Sequence, residues 1–213
     1  MDKAILIIVL FFSISIGFGQ TEWELKKDKN GIKVYTREVE GSSLKAFKAI
    51  TVMDGKLSSF VAVLKDVKSY SELFGDMTEA EIIEMQDTFQ VHSSVSGAPW
   101  PVSDRYGVYS NTYSQRYDHK TVTVKVKALQ GYIAEKEDKV RITEAEGQWI
   151  FHPVEYNKVE VTFEMHVEPG GNIPKWVLNM FLVDTPYNDL QTLRERVKLP
   201  QYQNKKYDFL VEY

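Results

Sequence analysis

The Pro169-Gly170-Gly171 break separates two hydrophobic periods that cannot belong to one element. Before it, residues 158–168 alternate. Val159, Val161, Phe163, Met165 and Val167 share one face, and Glu160, Thr162, Glu164, His166 and Glu168 share the other. That is the period of a strand with one face buried. After the break, Trp176, Met180, Val183, Tyr187, Leu190, Leu193 and Val197 recur at spacings of three and four, which predicts a long amphipathic helix. Asn172 is expected to cap it, with Pro174 in its first turn. Pro186 falls inside, where it lacks a backbone N–H and is expected to kink the helix. The apolar helix stripe and the apolar strand face both need covering, so the helix is expected to pack on a sheet.

The rest of the chain supplies that sheet. Residues 23–25 are read as a short helix, and 32–37 and 44–53 as a strand pair joined at Gly41-Ser42-Ser43. Leu57, Phe60, Val61 and Leu64 have helical spacing, and 69–73 reads as a second short helix. Strands are expected at 79–85, 87–95, 105–116, 121–128, 140–143, 147–152 and 158–168. Two short helices, about seven further strands and a long terminal helix describe an α+β domain on one antiparallel sheet.

Residues 4–12 form an apolar run followed by Gly17 and Gly19, so residues 1–19 read as a secretory signal peptide and 20–213 as a single domain. The run is shorter than the roughly 20 residues of a spanning helix. A secreted or periplasmic location is expected. With no cysteine, the chain has no disulfides, thiolate chemistry or lipidated N-terminal cysteine. A net charge of -4 with no basic stripe argues against nucleic acid.

The sequence offers no catalytic constellation. His92, His119, His152 and His166 are scattered without metal-site spacing, so no metal is expected. Glu144 and Glu146 lie near a turn, and Glu160, Glu164 and Glu168 on an outward face, as solvated charges do. No nucleophile elbow, phosphate-cradling loop or dinucleotide fingerprint occurs, and no cofactor is expected. Two residues invite two readings each. Trp100 stands in the loop Gly97-Ala98-Pro99-Trp100-Pro101, where it either meets a membrane interface or folds back onto the sheet. Arg105 either fixes that loop, with Asp104 as its nearest partner, or anchors a ligand head group.

Two stretches resemble one family. Gly-Gly-Asn-Ile-Pro-Lys-Trp-Val-Leu-Asn at 170–179, followed by Pro186 and residues 190–194, resembles the C-terminal helix of START (steroidogenic-acute-regulatory-related lipid transfer) domains. Ala98-Pro99-Trp100-Pro101-Val102-Ser103-Asp104-Arg105 resembles the START motif in which a proline-containing loop enters a strand through Arg-Asp. The two occur in the family's order, and the resemblance spans residues 23–197. It implies a helix-grip fold, a curved antiparallel sheet around a long C-terminal helix that gates a hydrophobic cavity. It further implies a monomer that binds one lipid or other hydrophobic ligand and touches a membrane surface transiently. The ligand-binding residues so implied are Arg105, Tyr109, Asn111, Tyr113, Trp149, Trp176, Met180, Val183 and Tyr187, with Trp100 at the membrane.

The pattern departs from the family in two places. Tyr106 follows Arg105 where the family has Asp. Asn111 stands near the site of a second arginine that several sterol-binding animal members pair with an acid, so no sterol is implied. Two alternatives remain. One is a helix-grip enzyme of cyclase or hydrolase type, for which Tyr109, Tyr113 and His152 are the first residues to consider. The other is a structural domain with a filled core.

Overall fold

The computed structural model describes residues 22–212, and the expected signal peptide and its cleavage site lie outside the described residues. The strands are β1 (Glu24–Lys29), β2 (Ile32–Glu38), β3 (Lys45–Asp54), β4 (Met77–Met85), β5 (Phe89–Ser96), β6 (Arg105–Arg116), β7 (Thr121–Leu129), β8 (Val140–Arg141), β9 (Glu144–Glu155) and β10 (Lys158–Glu168). Nine of them form one antiparallel sheet in the order β1-β2-β3-β10-β9-β7-β6-β5-β4, and β8 runs parallel to β6. The helices are α1 (Leu57–Lys65), α2 (Tyr70–Leu73), α3 (Lys175–Asn179) and α4 (Thr185–Arg196). The concave face of this sheet wraps the C-terminal helical segment, and the fold is the α+β helix-grip fold.

The alternation read from the sequence sets the register. In β10, Val159, Val161, Phe163 and Met165 are buried while the residues between them are half-exposed. β7 shows the same pattern, with Val122, Val124 and Ala128 in the core. The expected helix at residues 23–25 is corrected: Glu24 and Leu25 begin β1. Asn30 and Gly31 both take positive φ, 53° and 72°, as a tight hairpin turn requires. That turn supplies β2 with a partner, and tertiary pairing overrides the local sequence preference. The lysines of β1 sit on the sheet edge, where charge discourages pairing with another chain.

Near the centre, Leu57, Phe60, Val61, Val63 and Leu64 of α1 are almost fully buried against the sheet. No side chain of its own caps α1. Glu212 does so from the chain's far end, accepting from the N–H groups of Leu57 at 3.1 Å and Ser58 at 2.9 Å. At the other end, the Leu64 carbonyl accepts from the Tyr70 hydroxyl at 2.6 Å, Gln90 at 3.0 Å and the Tyr113 hydroxyl at 3.1 Å. Tyr113 is therefore tied into the core beneath α1.

The long helix expected after Pro174 is two helices. Between α3 and α4 lies a π-helical turn, Met180–Asp184. Pro186 occupies the first turn of α4, where its missing N–H does least harm, and the interruption expected of it appears as the π turn just upstream. Asn172 is not the cap; Pro174 holds that position without a side-chain hydrogen bond. Thereafter Tyr187, Leu190, Leu193 and Val197 are buried as the periodicity predicts. Arg194 donates to Thr51 at 2.8 Å, and Arg196 pairs with Glu72 at 2.5 Å and with Tyr202 at 2.7 Å.

Gly147 of β9 tests the close sheet packing. It stands opposite Met165 of β10, and a Cβ there would collide with the Glu164 carbonyl and with Met165. Gly147→Ala is expected to cost about 1–3 kcal/mol in urea denaturation. Gly75→Ala, where a Cβ meets open space, is expected to stay within about 0.5 kcal/mol of the wild type.

Candidate functional site

The sheet, α2, α3 and the π turn enclose a cavity of about 230 Å³. A domain with a filled core is thereby set aside. The cavity's apolar walls come from Phe47, Phe74, Val126, Trp149, Phe163 and Met165, roofed by Leu178, Phe181 and Leu182. Trp149 stacks on Phe163 with ring centres 3.8 Å apart and an interplanar angle of 7°, which fixes a flat aromatic wall.

The residues read from the sequence divide in two. Arg105, Tyr109, Asn111 and Trp149 line the cavity. Tyr113 does not: its hydroxyl is spent on Leu64, in the core. Nor do Trp176, Met180, Val183 and Tyr187 line it. Trp176 is 55% exposed, Met180 and Val183 are partly covered, and Tyr187 is buried beside Asn30, whose amide donates to its hydroxyl at 2.9 Å. The physical reason is the π turn. Its wider loop holds one more residue per turn than an α-helix, so a stripe projected at 3.6 residues per turn loses phase across it. Downstream the stripe enters the core. Upstream the cavity-facing residues are Leu178, Phe181 and Leu182, continued by Thr185 and Asp189.

Arg105 is 4% exposed, and its guanidinium is held by backbone carbonyls. Nε donates to Pro169 at 3.3 Å, Nη2 to Gly170 at 3.0 Å and Nη1 to Ser103. It thus ties the Trp100 loop to the turn that starts the C-terminal helical segment. Gly170 and Gly171 both sit at φ +65°, a left-handed conformation that a side chain would strain. Asp104 serves the loop itself, accepting from the Ala98 N–H at 3.1 Å. Trp100 at the tip is 90% exposed and does not fold back onto the sheet.

Sequence reasoning reached Arg105, Tyr109 and Asn111 and passed over three other polar groups of the cavity, Asp76, His92 and Asp189. Asp189 is 3% exposed, His92 4% and Asn111 4%, and Asp76 lines the same space. Burial, together with the nearby Asp76, holds the Asp189 carboxyl well above the usual carboxylate range, and burial raises Asp76 as well. Burial lowers His92 to about 4, so its ring is neutral at pH 7. Burial also raises the Tyr109 hydroxyl, with Asp76 adding to the shift. One signal for Asp189 was present in the sequence: it lies four residues before Leu193, on the side of the helix that should be apolar. His92 carried none, since its place beside Tyr109 depends on the β5–β6 register.

Of the histidines, His119 and His152 meet outside the cavity, both within 2.9 Å of the Thr121 hydroxyl. His166 contacts Glu168 at 3.2 Å. Among the described residues no cluster of metal-ligating side chains occurs.

Comparison with known proteins agrees with this architecture. The START domain profile matches residues 15–203. An uncharacterised protein of Pseudomonas aeruginosa is 34% identical over 173 residues, 81% of this chain and 85% of its own length. The crystal structure of a STAR-related lipid transfer protein from Xanthomonas axonopodis superposes with a TM-score of 0.77 at 40% identity, covering 83% of this chain and 99% of that one. Human StAR-related lipid transfer protein 5 shares the fold, with a TM-score of 0.72 at 18% identity over 83% of this chain and 86% of its own. A cavity roofed by a C-terminal helix, together with a profile match over most of the sequence, establishes that the chain belongs to the START domain family.

Proposed function

We propose that this protein binds one hydrophobic, lipid-like ligand in the cavity and carries it between membranes, with α3 and the π turn as the lid. One observation carries the reading: the roof over the apolar cavity is the less buried half of the C-terminal helical segment, in which Val177 is the fully buried side chain. Its ion pair, Lys27 with Asp184 at 2.6 Å, leaves Asp184 more than half exposed, and such pairs contribute at most about 1 kcal/mol. By contrast, Leu190 and Leu193 of α4 are fully buried, which stabilises by about 1.5–3 kcal/mol each. A glycine pair lies at one end of the lid and the π turn at the other, so residues 175–184 open while α4 stays docked.

The energetics of transfer support such a device. A chain of ~16 carbons loses roughly 13 kcal/mol on entering water, at about 0.8 kcal/mol per CH₂. A carrier with membrane-like walls removes that barrier when its lid opens at a bilayer. Trp100 and Trp176 are the exposed aromatic residues flanking the Arg105 tie, and tryptophan favours the membrane interface. The apolar run at residues 4–12 with Gly17 and Gly19 supports export, so the protein works as a monomer in the periplasm or outside the cell. The enzymatic alternative looked to Tyr109, Tyr113 and His152. Tyr109 lines the cavity, whereas Tyr113 and His152 lie away from it.

Two measurements test the proposal. A neutral fluorescent hydrophobic probe is expected to bind the wild type, and Leu182→Trp, which fills the cavity, is expected to weaken it by at least about tenfold while preserving the circular dichroism spectrum. Unchanged binding would move the ligand out of the cavity. In vesicle-to-vesicle transfer, Trp100→Ala and Trp176→Ala are expected to slow the rate severalfold with solution affinity unchanged. Unchanged transfer rates would remove the membrane role.

A further inference from the structure

The cavity has one acidic wall that the apolar binding reading leaves unused. Asp76, from the turn before β4, and Asp189, from α4, both line it, with Tyr109, His92 and Asn111 from β5 and β6 beside them. Three buried atoms there lack a hydrogen-bond partner: Asp189 Oδ1, Asn111 Oδ1 and His92 Nδ1. The Asn111 amide N–H is already given to the Tyr70 hydroxyl at 3.2 Å, so the oxygen that remains is an acceptor. His92 is neutral, and in the Nε2–H tautomer its unpartnered Nδ1 presents a lone pair. The basic side chains on the lining are Arg105 and Lys45, and both are engaged. Arg105 donates to three carbonyls, and Lys45 pairs with Glu38 at 2.8 Å.

This wall therefore offers two carboxyl groups that a cation would let ionise, with acceptor atoms beside them, and the two cations on the lining are engaged elsewhere. A phosphate or carboxylate head would face carboxyls without a counter-charge. A hydroxyl would bring one donor and leave the carboxyls crowded. A primary ammonium brings three donors and no acceptor, and its charge lets Asp189 ionise against a partner. The rings of Tyr70 and Tyr109 flank His92 at 5.1 and 5.6 Å and add aromatic faces that favour a cation.

We infer that the cavity selects long-chain primary amines, with the ammonium held at the wall of Asp189, Asn111 and His92. This rests on the cavity-binding reading above. Asp76 adds a second carboxyl group to the wall, and Leu178, Phe181 and Leu182 cover the chain.

The test is displacement of a neutral fluorescent probe from the exported chain at pH 7 by dodecylamine, dodecanol or dodecanoate. The amine is expected to displace it at about tenfold lower concentration than the alcohol, with the acid weakest. Asp189→Asn is expected to reduce the amine to the level of the alcohol and to leave the alcohol unchanged. This variant is expected to melt at or above the wild-type temperature. Asp189 has a raised folded-state pKa, so above the ordinary carboxylate pKa the native state must hold a proton that the unfolded chain has released, and asparagine removes that cost. Should Asp189→Asn fail to fold, Asp76→Asn is expected to narrow the amine's advantage in the same assay. An amine no better than the alcohol in the wild type, or an advantage that survives in the Asp variants, overturns the inference while leaving hydrophobic binding intact. No binding of the probe or of any of the three compounds overturns both readings.

Discussion

The packing of α4 on the concave sheet is the constraint on which the rest depends. Leu190, Leu193 and Val197 are essentially without exposed surface, and Arg194 and Arg196 fasten the same helix to β3 and to α2. This anchored half determines where the less anchored half must lie. Residues 175–184 lie across the sheet, held by buried Val177 and the Lys27–Asp184 pair, over a space that the aromatic walls leave unfilled. A fully packed helix would have closed the space, and a fully loose one would have exposed Trp149 and Phe163 to water at a cost of several kcal/mol.

Polar groups divide the labour in the same way. Arg105, buried and cationic, is hydrogen-bonded to carbonyls of the backbone and serves as the tie between the Trp100 loop and the helix turn. Removing it would leave buried carbonyls without donors, at about 1–3 kcal/mol for each. Asp189, equally buried, accepts from the backbone of Gly75 and otherwise has an oxygen without a partner. A buried polar atom left unpaired destabilises the empty protein, and a ligand that satisfies it recovers that free energy on binding.

Much of this was legible in the sequence because the two periods are strong. Strict alternation in residues 158–168 and 121–128 determined both strands and their inward faces, and the Pro-Gly-Gly break placed the turn before the helix. The hidden part lies where local rules conflict with tertiary ones. Glu24 and Leu25 are in a strand because the Asn30-Gly31 hairpin supplies a partner. The helix stripe held from Tyr187 onward and failed at Trp176, Met180 and Val183, because the π turn shifts the phase and no periodicity count includes it. Arg105, Tyr109, Asn111 and Trp149 were reached through family resemblance and their strand positions. Asp76 and His92 were not reached, because their place in the cavity depends on how β4, β5 and β6 align.

Hydrogen exchange of the purified protein, with and without a long-chain alkyl ligand such as dodecylamine or dodecanol, tests the central claim most directly. The lid account predicts that amides of residues 175–184 exchange well before those of α4, β7 and β10, and that ligand slows the first group selectively. Equal protection of residues 175–184 and α4, unaltered by either ligand, would make the whole segment a core helix and contradict the account.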